Sequence, residues 1–346
     1  MGDYKNILIV NLGGIGDLLL STPALRSLKD KYPHSRICLL VVRRVVELAE
    51  DLTYIDEIVV FRLKGVTSLL ANIVTLWNLR KRHFDLAVNM RTMVSALSAL
   101  KMRFLLSFLN PTSKAGRNTE GRGSFFDASI PEPYRGQMHE MEYDITLVEK
   151  IGAVVGSRKI DFVIKGASVD KVNALLRKHG ISENDFVVAV HPGGMPSRRW
   201  GVAHFAQLIA EIDKKRKAVF VITGSKEEGR LTQAIIRGCP QARVLSMAGK
   251  LGINELGALL KRCSLFITND TGPMHIAAVL GIPMCALFGG GDIVRFDPRV
   301  ISSRAEVLRV QKACAPCEKF YCPHAQCLQE ISVGMVLEAV LRLLPF

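Results

Sequence analysis

The sequence predicts an α/β protein of two doubly wound halves, each a Rossmann-like parallel sheet covered by helices on both faces. Three observations predict it. Short apolar runs recur along the chain and alternate with longer helical stretches, the pattern of parallel strands joined by crossover helices. The runs are apolar at successive positions, as strands buried on both faces are. The order strand, glycine turn, helix occurs at the start of the chain and again past its middle, and 346 residues suit about two domains.

The first half opens on the strand run Asn6-Ile-Leu-Ile-Val10. The turn Asn11-Leu-Gly-Gly-Ile-Gly16-Asp17 and the apolar Leu18, Leu19 and Leu20 follow. Thr22-Pro23 puts proline at a natural first helical position, so a helix is expected over 24–31, stopping before Pro33. Further strands are expected over 37–42, 58–61 and 86–89, with helical stretches over 45–51 and 69–82. Residues 110–136, rich in Gly, Pro, Ser and Arg, read as one long loop, and 139–152 as a helix.

The pattern then restarts. Strands are expected over 186–190, 218–223, 244–247, 265–268 and, last, 284–288. Helices are expected over 169–179, 203–214, 229–237, 253–262 and 274–280. The boundary falls near 163–168, giving domains 1–165 and 166–330, with 331–346 as a C-terminal helix expected to pack back toward the first domain. Glycine turns at the strand ends of both halves, facing one another, would form a central ligand-binding cleft.

Composition narrows the function. The chain is 49% hydrophobic and 23% charged, ordinary globular material. No run approaches the roughly 18 uncharged apolar residues of a spanning helix. Asp3 and Lys5 precede an apolar stretch too short for a signal sequence, so the expected location is cytoplasmic. The net charge is +14, and residues 58–122 hold eleven Lys/Arg against Asp85 and Glu120 alone. Such a stretch suits an anionic partner such as a phosphorylated lipid surface or an acidic glycan, or is a solvated face. With aromatics at 7% and no recognition motif, nucleic acid is not an expected partner. Of eight cysteines, Cys314, Cys317, Cys322 and Cys327 cluster near His324, which suits a structural metal, paired thiols or plain packing.

Four motifs carry candidate chemistry. Gly13, Gly14 and Gly16 follow a strand and open a helix, where backbone N–H groups can meet a ligand. Asp17 beside them is a helix-terminal charge or a general base. The spacing is not the dinucleotide fingerprint. His191-Pro-Gly-Gly-Met-Pro-Ser-Arg198-Arg199-Trp200 sets two arginine forks after a strand, suited to phosphate or to solvent. In Asn269-Asp270-Thr271-Gly272-Pro273-Met-His275, Asp270 and Thr271 can cap a helix whose start would hold a pyrophosphate. His275 there is a structural histidine or a phosphate donor. Last, Glu227 and Glu228 follow a strand at Thr223-Gly-Ser-Lys, where a carboxylate can accept ribose hydroxyls or simply start a helix.

Taken together these residues resemble glycosyltransferase family 9, the lipopolysaccharide heptosyltransferases. The resemblance runs over nearly the whole chain and rests on Gly16-Asp17-x4-Thr22-Pro23 combined with Asn269-Asp-Thr-Gly-Pro-Met-His275. The closing Cys-x-Pro-Cys…Cys…Cys-Leu pattern resembles a tail found in part of that family. The resemblance implies a GT-B fold with the nucleotide sugar in the C-terminal half. It implies inverting transfer of heptose from a donor such as ADP-heptose to the inner core of lipopolysaccharide. It also implies Asp17 as general base, and Asp270, Thr271, Gly272 and His275 at the donor phosphates, with Arg198, joined by Arg199, where the family has a lysine. Met247 would lie against the adenine, and Glu227 or Glu228 would bind the ribose.

No cofactor is expected for catalysis: the chain has no Asp-x-Asp pair, and cationic side chains can stabilise the leaving diphosphate. The acceptor would be a lipid-linked anionic glycan, with the protein peripheral on the inner leaflet. Residues 97–109 would dip into the interface or face the core. The rival readings are transfer of another activated sugar to a glycan or protein, a non-catalytic nucleotide-sugar-binding module, and a sugar-nucleotide epimerase.

Overall fold

A computed structural model describes residues 4–63, 66–134, 136–317 and 319–344. Asp3, Lys64 of the basic stretch, Arg135 of the expected loop and the last two residues lie outside them. The chain divides into two compact units, Met1–Phe162 and Val163–Phe346.

The first unit runs β1 (Asn6–Asn11), α1 (Ile15–Lys31), β2 (Arg36–Val42), α2 (Val46–Ala49), β3 (Glu57–Phe61), α3 (Val66–Arg80), β4 (Leu86–Asn89), α4 (Ala96–Leu109), β5 (Ser113–Thr119), β6 (Ala128–Glu132) and α5 (Glu140–Lys150). Its sheet is parallel, in the order β3-β2-β1-β4-β5-β6. The second unit runs α6 (Gly166–Lys178), β7 (Val187–His191), α7 (Val202–Lys215), β8 (Val219–Ile222), α8 (Gly229–Gly238), β9 (Arg243–Ser246), α9 (Ile253–Arg262), β10 (Leu265–Asn269), α10 (Gly272–Val279), β11 (Met284–Phe288), α11 (Ile293–Phe296), β12 (Ala305–Arg309), α12 (Gln326–Gln329) and α13 (Val333–Leu343). Its order, β12-β11-β10-β7-β8-β9, repeats the first winding. The winding of each sheet reverses between its first and fourth strands, β1 and β4 or β7 and β10, and ligands bind outside the strand ends at such a point.

Three expectations are corrected. The first helix begins at Ile15, and Pro23 lies inside it. Proline cannot donate to the carbonyl of Leu19, and the Thr22 hydroxyl does so instead at 2.8 Å, so the helix continues. The expected loop 110–136 contains β5 and β6. Polar residues hid them: β5 carries Arg117, and β6 carries Pro131, tolerated because β6 is an edge strand. Another strand, β12, follows the one expected to be last. The C-terminal helix α13 packs on α7, β11 and β12 within the second unit. There Val336, Ala339 and Val340 are fully buried, so its apolar face is already covered.

Arg117 explains why the basic stretch is not uniformly solvated. It is fully buried, 2.9 Å from Glu140 and 2.5 Å from Asp144, with its guanidinium 4.8 Å over the Tyr143 ring. Burial, with Glu140 nearby, pushes the Asp144 carboxyl up to about 6 despite Arg117. Ser21 joins this cluster to the opening turn: its hydroxyl lies 2.6 Å from Asp144 and 2.8 Å from the Asp17 carbonyl.

Candidate active site

In the first unit the site forms where β1 ends. Gly14 caps α1, and its N–H donates to Asp17 Oδ2 at 2.6 Å. A Cβ on Gly13 would stand 2.5 Å from the Asp17 Cβ, so the carboxylate packs where only glycine fits. Asp17 therefore does serve as the helix-terminal charge. Its other oxygen forms an ion pair with Arg91, just after β4. The pair bridges the two strand ends at which the winding reverses. Arg91 carries no local motif and was missed by sequence reasoning. Arg44 closes a third side, 3.7 Å from where a Gly14 Cβ would stand.

In the second unit the equivalent place is built from four strand ends. The Asn269 side chain donates to the carbonyls of Pro192 and Gly193 at 2.9 and 3.0 Å and accepts from the Trp200 N–H at 3.1 Å. Trp200 is buried, and its ring N–H donates to the Ile331 carbonyl at 2.9 Å. The glycine loop and the arginine turn thus hang on one asparagine. Gly194 has φ +111°, a conformation that favours glycine, and a Cβ on it would stand 2.6 Å from Thr271.

Arg198 reaches across to Asp270 at 3.0 Å, and both side chains are largely buried. The Arg198 Nε is buried with no hydrogen-bond partner among the described residues. A buried donor left unmade costs about 1–3 kcal/mol, so it calls for a missing acceptor. A Cβ on Gly291 would run into the Asp270 carboxylate, so glycine backbone lines this pair as well.

The two adjacent glutamates separate. Glu228 accepts from the N–H groups of Gly194 and Ser225 at 2.9 and 2.8 Å and pairs with Arg199 at 3.2 Å. Burial would raise its carboxyl, but those donors, with His191 and Arg199, hold it below the usual carboxylate range. Arg199 also donates to the Gly194 carbonyl at 2.7 Å. Glu228 and Arg199 therefore brace the glycine loop, while Glu227 is exposed. His191 lies 3.0 Å from the Thr223 hydroxyl, and burial, with Arg199, drives its imidazole down to about 4.

The remaining candidates are also placed. Thr271 stands at the cap position of α10 but makes no side-chain cap, correcting that expectation. Its hydroxyl turns to Thr268 and to the Asn269 carbonyl, both at 3.3 Å. The Thr271 side chain thus leaves the N–H groups of the helix start, with Gly272 as its first residue, to other partners, and such a start suits an anion. His275 is buried edge-on to Phe296, ring centres 5.9 Å apart. Met247, at the end of β9, is buried and donates its N–H to the Ile222 carbonyl at 2.8 Å.

The cysteine segment buttresses this site. The Cys317 N–H donates to the Gly290 carbonyl at 2.7 Å, and the Ser197 N–H to the Phe320 carbonyl at 3.2 Å. All eight cysteines are free thiols. Burial, and then the charges of Cys317, Cys314 and Cys322, raise the Cys327 thiol. No group of three or more His, Cys, Asp or Glu among the described residues is arranged to hold a metal ion, so the structural-metal expectation gains no support.

Residues 75–327 match the family model of glycosyltransferase family 9 (heptosyltransferase). The chain is 27% identical over 290 residues to lipopolysaccharide heptosyltransferase 3 of Escherichia coli, covering 82% of this chain and 83% of that one. It superposes on a family 9 glycosyltransferase from Veillonella parvula with TM-score 0.81 and 22% identity, over 99% of this chain and 98% of that one. On the E. coli heptosyltransferase WaaC with ADP the TM-score is 0.69 at 15% identity, over 98% and 100%. The structural likeness carries the fold, two parallel six-stranded sheets with flanking helices, as in GT-B enzymes. Matched by the family model over well more than half its length, the chain belongs to glycosyltransferase family 9.

Proposed function

We propose that the protein transfers heptose, with inversion and without a divalent metal, from a nucleotide-activated donor to the inner core of lipopolysaccharide. ADP-heptose is the favoured donor. The observation that carries the reading is the buried Arg198, held by Asp270 beside the start of α10, with one donor that finds no acceptor among the described residues. A diphosphate oxygen supplies that acceptor. The relative named as a lipopolysaccharide heptosyltransferase and the related structure with ADP support the same donor and acceptor.

Each group then has a role. The acceptor hydroxyl gives its proton to Asp17 as its oxygen attacks the anomeric carbon. The bond from that carbon to the phosphate oxygen breaks, and the diphosphate leaves with the bonding pair. Arg198 and the N–H groups at the start of α10 take up the growing negative charge. Arg199 and Glu228 hold the glycine loop in place, and His275 supports the helix start from within. Glu227, exposed beside the loop, accepts the ribose hydroxyls, while Met247 backs the base. Arg91 orients Asp17 and, with Arg44, offers positive charge to a phosphorylated acceptor. A lipid-linked acceptor supports a peripheral location at the inner leaflet.

The test is mass-resolved transfer from a panel of nucleotide sugars onto truncated core lipids, with wild type and Asp17→Asn. The variant is expected to bind ADP as wild type does and to lose transfer by ~100-fold or more. Transfer retained within tenfold removes Asp17 as the base. Conversion of the donor without an acceptor would favour the epimerase reading instead.

A further inference from the structure

We propose that the outer face of α3 and α4 is a docking surface for an anionic lipid bilayer. On α3 the side chains of Leu70, Ile73, Val74 and Trp77 are exposed, at the i, i+3, i+4, i+7 spacing that puts them on one face. On α4 the exposed Leu97, Leu100 and Phe104 do the same. The helices pack on each other, with Trp77 and Phe108 ring centres 6.1 Å apart, so the two stripes adjoin. Trp77 is 53% exposed and Phe104 is 71% exposed. Single exposed apolar residues need no explanation, but seven on two adjoining helices form a patch that marks an interaction site.

Charge selects the partner. Lys101 and Arg103 are exposed on the same helix as Leu100 and Phe104, and Arg62, Arg80 and Lys81 are exposed around α3. The sequence from 62 to 119 contains a single acid, Asp85. An apolar stripe with a basic rim and an interfacial tryptophan fits a negatively charged leaflet. A second copy fits poorly, because a two-fold interface would set this cationic face against itself. The surface deepens the membrane location proposed above, and α4 starts five residues after Arg91, so a docked chain would hold its acceptor turn near the lipid headgroups.

The experiment is vesicle binding by the full chain, with phosphatidylcholine vesicles and with vesicles also containing phosphatidylglycerol, at low and high salt. Trp200 is buried, so a blue shift of tryptophan emission and its quenching by brominated lipid report Trp77. Wild type is expected to bind the anionic vesicles, to shift its emission, and to leave them at high salt. Leu100→Ser with Phe104→Ser, and separately Lys101→Glu with Arg103→Glu, are each expected to weaken binding by ~10-fold or more. All four side chains are outside the core, and ADP affinity serves as the check on folding. Wild type that ignores anionic vesicles, charge-reversed protein that binds them equally, or a wild-type dimer that the apolar variant dissociates would each overturn the proposal. Vesicle binding does not depend on transfer, so an inactive protein that still docks would sink the transferase reading and leave this one standing.

Discussion

Arg198→Met separates the structural task of this arginine from its chemical one. The Arg198 and Asp270 side chains are only 15% and 5% exposed, so the substitution breaks an ion pair at a buried carboxylate. Breaking a buried pair costs about 3–5 kcal/mol, and the residual exposure of Arg198 argues for the lower end, about 3 kcal/mol. For a unit of this size that is a fall of about 6–12 °C in the melting temperature of the second unit. Arg198→Met combined with Asp270→Asn removes both charges and is expected to recover most of that loss. ADP affinity behaves differently. Each charge-assisted bond is worth about 1.5–3 kcal/mol, so the single and the double variants should both bind ADP ~10–100-fold more weakly. Scanning calorimetry with and without ADP, and titration calorimetry, read both quantities. A single variant that melts early yet binds ADP like wild type, or a double variant that regains affinity, refutes the phosphate role and leaves Arg198 as a counter-ion for Asp270.

Arg91→Ala should lower kcat for transfer by ~10–100-fold while ADP affinity stays unchanged, because what is lost, the orientation of Asp17 and charge toward the acceptor, does not involve the donor; an equal loss in both would contradict this. Gly193→Ala should weaken ADP binding by ~10-fold with little change in fold, because its Cβ would meet the Glu228 carboxylate 2.5 Å from Oε2 and push the loop out of place. The two units should respond to pH with opposite signs. Burial raises Asp144 from 3.8 to about 6, so the folded form keeps a proton the unfolded chain has lost, and the first unit loses stability as pH rises across that window. Burial lowers His191 from 6.5 to about 4, so its contribution is complete above 6.5 and disappears as pH falls toward 4, weakening the second unit. Each effect is about 3 kcal/mol. Hydrogen exchange resolved by unit should show both slopes, and Asp144→Asn and His191→Asn should each flatten its own.

Much of the architecture could be read from the sequence because it is local. The continuous apolar runs of β1, β7, β10 and β11 mark strands buried on both faces, and the glycines after β1 and β7 mark where backbone must turn closely. Asp17, Arg198 and Asp270 stood out for the same reason, being polar residues fixed at strand ends. The errors arose where a local rule met a remote compensation. Thr22 satisfies the carbonyl that Pro23 cannot, and the edge position of β6 tolerates Pro131. Arg117 is polar in a strand because Glu140 and Asp144, more than twenty residues away, come to meet it.

Sequence alone determined most of the strands and helices, β5, β6 and β12 excepted, since those depend on the period of apolar residues along the chain. It also determined which residues could carry charge to a diphosphate. Only the tertiary structure decided how those charges are matched: Asp17 with Arg91, Arg198 with Asp270, and Glu228 rather than Glu227 with the glycine loop. The physical reason is distance. Coulombic and hydrogen-bond partners are chosen by ångströms through space, and the winding of the sheet brings together residues that the chain itself holds far apart.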